Sequence, residues 1–467
     1  MIRFIQWSAI GAFVVLSAAA IWMGALNQDE GWYVYAATLV AEGKIPYRDF
    51  FYTQGPLMPL FYSSFDWLWR DFGLLGARLF TWLIGAAGVV MTVVLARRLA
   101  PAERRLEAGL TAFVLLGCNL YHLYYLAIPK TYAFASFFVI IGFLLLASSR
   151  SAWCLAVVGL TLAFAAGTRI SLGALLVVVG LSLLIRRQWR GAAAFALGGF
   201  LGLGLVYGPF LCDPTARAGF FAAQAYHAAR GGFDVVWTVG SVSRLVRWYL
   251  PVFVLIAMGG FAYARVVLWG FLAVFAVQML APFPYEDYQV PVMALLAAFA
   301  AANLKSGRGL VLAFAMCCAC SFGSPLLEKW MTNGQDRFWS LKKDRCELAQ
   351  LQAVAAEIEA LDPGGKELLT QDLYLAVETG RRVPAGLEMG PFAMLSDAEW
   401  RALLESAPCP IAALSGYTFA IEPPKCNERP LEQQLEYWGI LRRHYDIVAR
   451  EECFGQNATN LMILKRK

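Results

Sequence analysis

Long apolar runs separated by short polar stretches dominate the first 323 residues. A helix needs about 20 apolar residues to cross a bilayer. The pattern predicts spans at approximately 5–26, 73–96, 108–126, 131–147, 152–167, 170–185, 191–211, 248–264, 266–282, 288–304 and 309–323. That makes about eleven, and the two flanking Arg169 are short. The first run is read as a span rather than a cleaved signal, because a signal has a shorter apolar core and a small-residue cleavage site. The pattern changes after residue 323. "KELLTQD", "PIAALSG", "YDIVARE" and "NLMILKRK" read as strands. "LKKDRCELAQLQAVAAEIEAL", "SDAEWRALLES" and "PLEQQLEYWGILRRHY" read as amphipathic helices. Ser396 and Asp397 suit the start of the second, with Glu399 nearby. The expectation is a polytopic α-helical membrane domain over 1–323 and a small α/β domain over 324–467.

Charge orients the spans. Cytoplasmic loops are rich in Lys and Arg. With the N-terminus inside, Arg97, Arg98, Arg104, Arg105, Arg150, Arg186, Arg187, Arg190, Arg265, Lys305 and Arg308 all fall inside. Before residue 324, only Glu103 and Glu107 oppose them there. An odd span count then puts the C-terminal domain outside, periplasmic or extracellular. Short loops and the resemblance given below point to a bacterial inner membrane.

Composition supports the membrane reading. The chain is 59% hydrophobic and 15% charged, against about 45–50% and 25% in soluble domains. The tail from Ser324 carries 21 acidic and 17 basic residues, so the net +6 comes from the membrane part. That charge is a topology signal, and no zinc or nucleic-acid motif accompanies it. Of ten cysteines, Cys346, Cys409, Cys426 and Cys453 fall in the outer domain. There they suggest one or two disulfides of undetermined pairing. Asn457-Ala458-Thr459 is a sequon. "GGFLGLG" at 198–204 lies inside a span and reads as a close helix-packing surface.

The candidate chemistry starts just after the first span. "NQDEGWYVYAATLVAEGKIPYRDFFYTQGPL" places Asp29, Glu30, Glu42 and Asp49 among seven aromatic residues at the outer interface. Aromatic belts are common there, and one acid would pass as a loop end. A cluster of acids asks for more. Desolvation raises a carboxylate's basicity, which suits a general base acting on a hydroxyl.

This loop resembles the first outer loop of GT-C-type glycosyltransferases. The similarity is to the protein O-mannosyltransferases and the lipid A aminoarabinose transferases. It rests on the acidic pair in "DEGWYVYAATLVAEGKIPYRDF", the continuation "YRDFFYTQGPL", the span count and the tail segment "LTQDLYLAVETGRRVPAG". The resemblance implies transfer from a polyprenyl-phosphate sugar to a lipid, glycan or protein acceptor at the outer face. It makes Asp29 the catalytic carboxylate and Glu30 its partner, with Asp49 a second candidate. No organic cofactor is implied, and a divalent metal is not indicated. Tyr33, Tyr52 and Gln54 are candidate substrate contacts.

A departing lipid phosphate needs fixed positive charge. Lys130 in "YYLAIPKTYAF" and Arg169 in "AAGTRISLG" interrupt apolar sequence, which marks functional candidates by default. Arg244 and Arg247 precede the eighth expected span and are further phosphate candidates. "APFPYEDYQVP" adds Glu286, Asp287 and Tyr288 as substrate-binding candidates. Its two acids stand where many relatives have His or Arg. The rival readings are a transporter or lipid-linked-glycan flippase, which predicts repeats and midplane charges, and a non-catalytic scaffold.

Overall fold

The computed structural model describes residues 2–229, 231–327, 346–416, 431–456 and 459–467. Two compact units emerge, and neither is continuous in sequence. The first comprises Met1–Ile21, Thr53–Met58 and the described part of Leu79–Phe338. The second comprises Trp22–Tyr52, Pro59–Arg78 and the described part of Trp339–Lys467. The loop after the first span thus belongs with the C-terminal segment, whereas the sequence reading grouped it with the spans.

The first unit is helical. Its core surrounds Val290–Ala302, in which every residue is buried. A helix so enclosed needs no polar face, and this one has only Ala, Val, Leu, Met, Phe and Pro. Ala152–Thr168 and Trp189–Cys212 pack closely through glycine. A Cβ on Gly198 would overlap the carbonyl of Ala156, and one on Gly159 that of Phe195. The packing role expected for "GGFLGLG" is what the structure has.

Among the described residues, five helices are long and apolar enough to cross a membrane: Ile2–Met23, Trp67–Leu99, Thr131–Ser148, Trp189–Cys212 and Arg308–Leu327. Counting two bent pairs as single spans gives seven. The other expected spans are shorter apolar helices, such as Ala152–Thr168 and Arg265–Met279. Hydropathy could not see the breaks. The expected span 108–126 bends by 70° between Gly117 and Leu120. Asn119 caps a new helix there by accepting from His122 N at 3.0 Å. Leu250–Met258 has only nine residues and bends 80° from Val235–Trp248. The outward sides of the helices expose Phe4, Trp7, Leu197 and Phe200, as lipid-facing surfaces do. The chain is a multi-pass membrane protein.

In the second unit, three expected strands form an antiparallel sheet ordered β1-β3-β2. These are β1 (Ile411–Ser415), β2 (Tyr445–Phe454) and β3 (Thr459–Arg466). The fourth expected strand, "KELLTQD", makes only isolated bridges, one of them Leu369 to Ala412 beside β1. Ser396 and Glu399 form the capping box that starts Asp397–Ser406. Glu347–Leu361 and Leu431–His444 are the other two expected helices.

The expected disulfides do not form among the described cysteines. Cys346, Cys409 and Cys453 are free thiols. Cys346 instead caps Glu347–Leu361, accepting from Ala349 N. Cys409 is enclosed in the core, and Cys453 is exposed on β2. Cys426 and Asn457 lie outside the described residues.

Candidate functional site

In the second unit, the loop "NQDEGWYVYAATLVA" is a helix, Gln28–Ala41, rather than an irregular segment. Asn27 caps it: its side chain accepts from Asp29 N at 3.0 Å, and Glu30 reaches back to Asn27 N at 2.9 Å. Asp29 sits half-buried in the first turn. A carboxylate is favoured there by the helix dipole.

Glu30, expected as the partner of Asp29, is held in an ion pair. It forms a two-pronged ion pair with Arg78, Oε2 to Nε at 2.8 Å and Oε1 to Nη2 at 2.7 Å. Both side chains are wholly buried. Arg78 also donates to the carbonyls of Gly24 and Ala25. The pair therefore ties the chain entering the helix to its first turn. Asp49 is likewise engaged locally. It accepts from Ile45 N at 2.8 Å and pairs with Arg48 at 3.1 Å. The Arg48 hydrogen bond, then that of Ile45 N–H, holds its carboxyl below the usual carboxylate value. Tyr33 stacks on Trp32 at 3.9 Å between ring centroids. Tyr52 meets Trp32, Tyr33, Tyr47 and Phe50 edge-on. Tyr33 and Tyr52 are buried, so they build a wall rather than present open faces.

In the first unit, the structure gathers most of the expected phosphate residues. Lys130 precedes the helix Thr131–Ser148, and Arg169 follows Ala152–Thr168. Asp287 lies in the short 3-10 turn Glu286–Gln289. Its Oδ2 accepts from Lys130 Nζ at 3.2 Å and from Tyr132 Oη at 2.8 Å. Arg169 donates to Thr131 Oγ1 at 3.1 Å. The Arg169 guanidinium lies 4.9 Å from the ring centres of both Tyr132 and Tyr288, while Lys130 is 4.9 Å from that of Tyr132. Such cation–π contacts are strongest where water is excluded, and both cations are buried here. Arg244 pairs with Glu286 at 2.9 Å, one residue from Asp287. Gln54 sits in the segment Thr53–Met58 of the same unit. Its neighbour Gly55 lies so close to Gly167 that a Cβ would overlap the Gly167 carbonyl. Only glycine lets that turn lie two residues from Arg169.

Arg247 follows Arg244 by three residues on the helix Val235–Trp248. It is exposed, lies 4.7 Å from the Trp248 ring, and lines a cavity of about 380 Å³ with Asn119, Tyr121 and Ser321. Sequence reasoning missed Arg78, Tyr132 and Asp372. Arg78 carried a signal, a lone cation inside an expected span; Tyr132 carried none.

With the fold and these two groups in view, comparison with solved structures finds the same fold in a membrane protein of known structure. The structure of ArnT from Cupriavidus metallidurans bound to undecaprenyl phosphate is similar, with a TM-score of 0.64 over 98% of this chain and 97% of that one, at 14% sequence identity. Its apo form gives 0.62 over the same shares, also at 14% identity. An Archaeoglobus fulgidus oligosaccharyltransferase, tethered to an acceptor peptide, covers 97% of this chain at a TM-score of 0.44 and 10% identity. No family model matches the sequence, and no curated protein matches it by sequence.

Proposed function

We propose that the protein is an inverting glycosyltransferase. It moves a sugar from a polyprenyl-phosphate donor to an acceptor hydroxyl, on a lipid, glycan or protein, at the outer face of a bacterial inner membrane. The observation that carries this reading is the buried cluster of Lys130, Arg169 and Asp287 around Tyr132. An ionisable group at membrane depth costs free energy and is retained for function. The cluster also balances in charge. Lys130, Arg169 and Arg244 against Glu286 and Asp287 leave one positive charge, which matches the single negative charge of a phosphodiester donor.

In the reaction, the Asp29 carboxylate accepts the acceptor's hydroxyl proton. The oxygen attacks the anomeric carbon, whose bond to the phosphate oxygen breaks, and that bond's electron pair leaves with the lipid phosphate. The configuration inverts because a single displacement occurs. The product phosphate carries about −1.5 to −2, so Lys130 and Arg169 meet more charge after transfer than before. Differential binding of this kind favours the transition state. Glu30 and Asp49 hold the backbone on either side of the aromatic wall, with Glu30 acting through Arg78. Tyr288 holds Arg169.

The test is purified protein with labelled polyprenyl-phosphate sugars, comparing wild type, Asp29→Ala and Lys130→Ala. Both variants are expected to lose transfer by at least 100-fold while remaining folded. A fully active Asp29→Ala protein would remove the base and sink the reading.

A further inference from the structure

Gln28 immediately precedes Asp29, and both of its ends are held. Its backbone N–H donates to Gln456 Oε1 at 2.7 Å. Its side-chain amide donates to Asp372 Oδ1 at 2.9 Å and lies 3.4 Å from Tyr374 Oη. The Tyr374 hydroxyl donates to the same Asp372 oxygen at 2.9 Å. Gln28 is 4% exposed, and Asp372 and Tyr374 are not exposed at all. Below this contact the two backbones nearly touch: a Cβ on Gly31 would overlap the Tyr374 backbone nitrogen. One residue before the cap, Leu26 N donates to Glu347 Oε2 at 2.6 Å.

A wholly buried carboxylate is a costly way to join two helices. Replacing a buried charged group and its partners by apolar residues is often neutral or stabilising. What a polar triad adds is register. The Gln28 amide has one angle at which it meets both Asp372 and Tyr374, so the first turn cannot slide or rotate. Asp29, the next residue, takes its direction from that turn. Burial pushes the Asp372 carboxyl above its usual value, and hydrogen bonds from Gln28, Ser415 and Tyr374 oppose the shift.

We propose that Asp372, through Gln28 and Tyr374, is a positioning residue for Asp29, so that the C-terminal segment sets the aim of the first-loop base. The inference rests on Asp29 being the base. Misaiming by about 1 Å costs on the order of 100-fold in rate, while the donor phosphate, held by other residues, is unaffected. Positioning thus predicts a loss in kcat alone.

The experiment compares Gln28→Ala, Asp372→Ala and Asp372→Asn in the full-length detergent-purified protein, using steady-state kinetics with the donor that wild type accepts. Gln28→Ala and Asp372→Ala are expected to lower kcat 10- to 100-fold, with the donor KM within threefold of wild type. Asp372→Asn keeps an oxygen that accepts both hydrogen bonds, and is expected to retain at least a third of kcat. The Gln28→Ala/Asp372→Ala double variant should be no slower than the slower single variant, since both break one link. Wild-type kcat in Gln28→Ala would overturn the proposal, as would an increase in donor KM at unchanged kcat. If Asp372→Ala fails to fold, Gln28→Ala and Asp372→Asn decide alone. Inactivity of Asp29→Ala together with normal kcat in Gln28→Ala would defeat this inference and leave the transferase reading standing. Activity in Asp29→Ala would defeat that reading itself.

Discussion

Asp287 accepts hydrogen bonds from Lys130 and Tyr132 in one buried place, which makes it a built-in counterion where a phosphate is proposed to bind. Replacing it by Asn leaves the shape and adds one net positive charge to the cluster. Donor and product phosphate should both bind more tightly. The expected result for Asp287→Asn is a donor KM several-fold lower, a kcat also lower as product release slows, and stronger inhibition by the lipid phosphate product. Steady-state kinetics with added product would show it; a raised KM would make Asp287 a donor contact instead. Glu30 and Arg78 differ in kind. Both are wholly buried, so removing one strands the other's charge. Arg78→Ala is expected to cost about 3–5 kcal/mol of stability, seen as a large drop in melting midpoint and protease resistance in detergent. The acids were legible as a cluster in the sequence, but their roles were not. Which carboxylate is consumed by an ion pair depends on Arg78, 48 residues away, and spacing gives no sign of that partner.

At the scale of elements, capping chemistry was legible and breaks were not. Ser396 and Glu399 lie close in sequence, and they formed the cap that the pattern implied. The bend near Asn119 and the kink at Gly73 depend on what surrounds them. Gly73 has φ 57° and ψ −151° inside Trp67–Leu99, a region nearly closed to other residues. The restarted helix is capped from afar by Glu378, whose Oε2 accepts from Leu74 N at 2.7 Å. Burial raises the Glu378 carboxyl above its ordinary value, as it does for Asp372 and Glu388. An acid with a raised native pKa binds more protons folded than unfolded, so stability falls as pH rises through that window. For Asp372 the window opens at the ordinary value of 3.8 and extends upward. Asp372→Asn removes this term. Relative to the variant, wild type is expected to lose stability as pH rises above the ordinary carboxylate value, which melting curves at a series of pH values would check. A difference independent of pH would mean that Asp372 titrates alike in both states.

At the scale of the molecule, the fold class was readable because hydropathy reports burial in lipid residue by residue. The partition was not readable, because it depends on contacts between segments more than 300 residues apart. A cut at 323 follows the composition, yet it removes Trp22–Tyr52 from the compact unit that contains the C-terminal segment. Within that unit, the helix Gln28–Ala41 buries Trp32, Tyr33, Val34, Tyr35, Ala36 and Ala37. Tyr35 Oη accepts from Val383 N at 3.0 Å, and Glu42 pairs with Arg382 at 3.0 Å. Without this helix, Leu373, Tyr374, Leu375 and Val377, now buried, lose part of their cover, and Asp372 loses Gln28. An exposed apolar face beside an under-bonded buried acid favours aggregation. A fragment of residues 324–467 made alone is therefore expected to aggregate or melt without cooperativity. The same fragment with residues 26–52 joined by a flexible linker should gain a cooperative transition, because the missing helix returns at high effective concentration. Circular dichroism melts and size-exclusion profiles of the two fragments decide it. A monomeric fragment 324–467 that melts cooperatively on its own would show that the C-terminal segment folds without the helix. The clamp on Asp29 would then be a docking event rather than part of one folding unit.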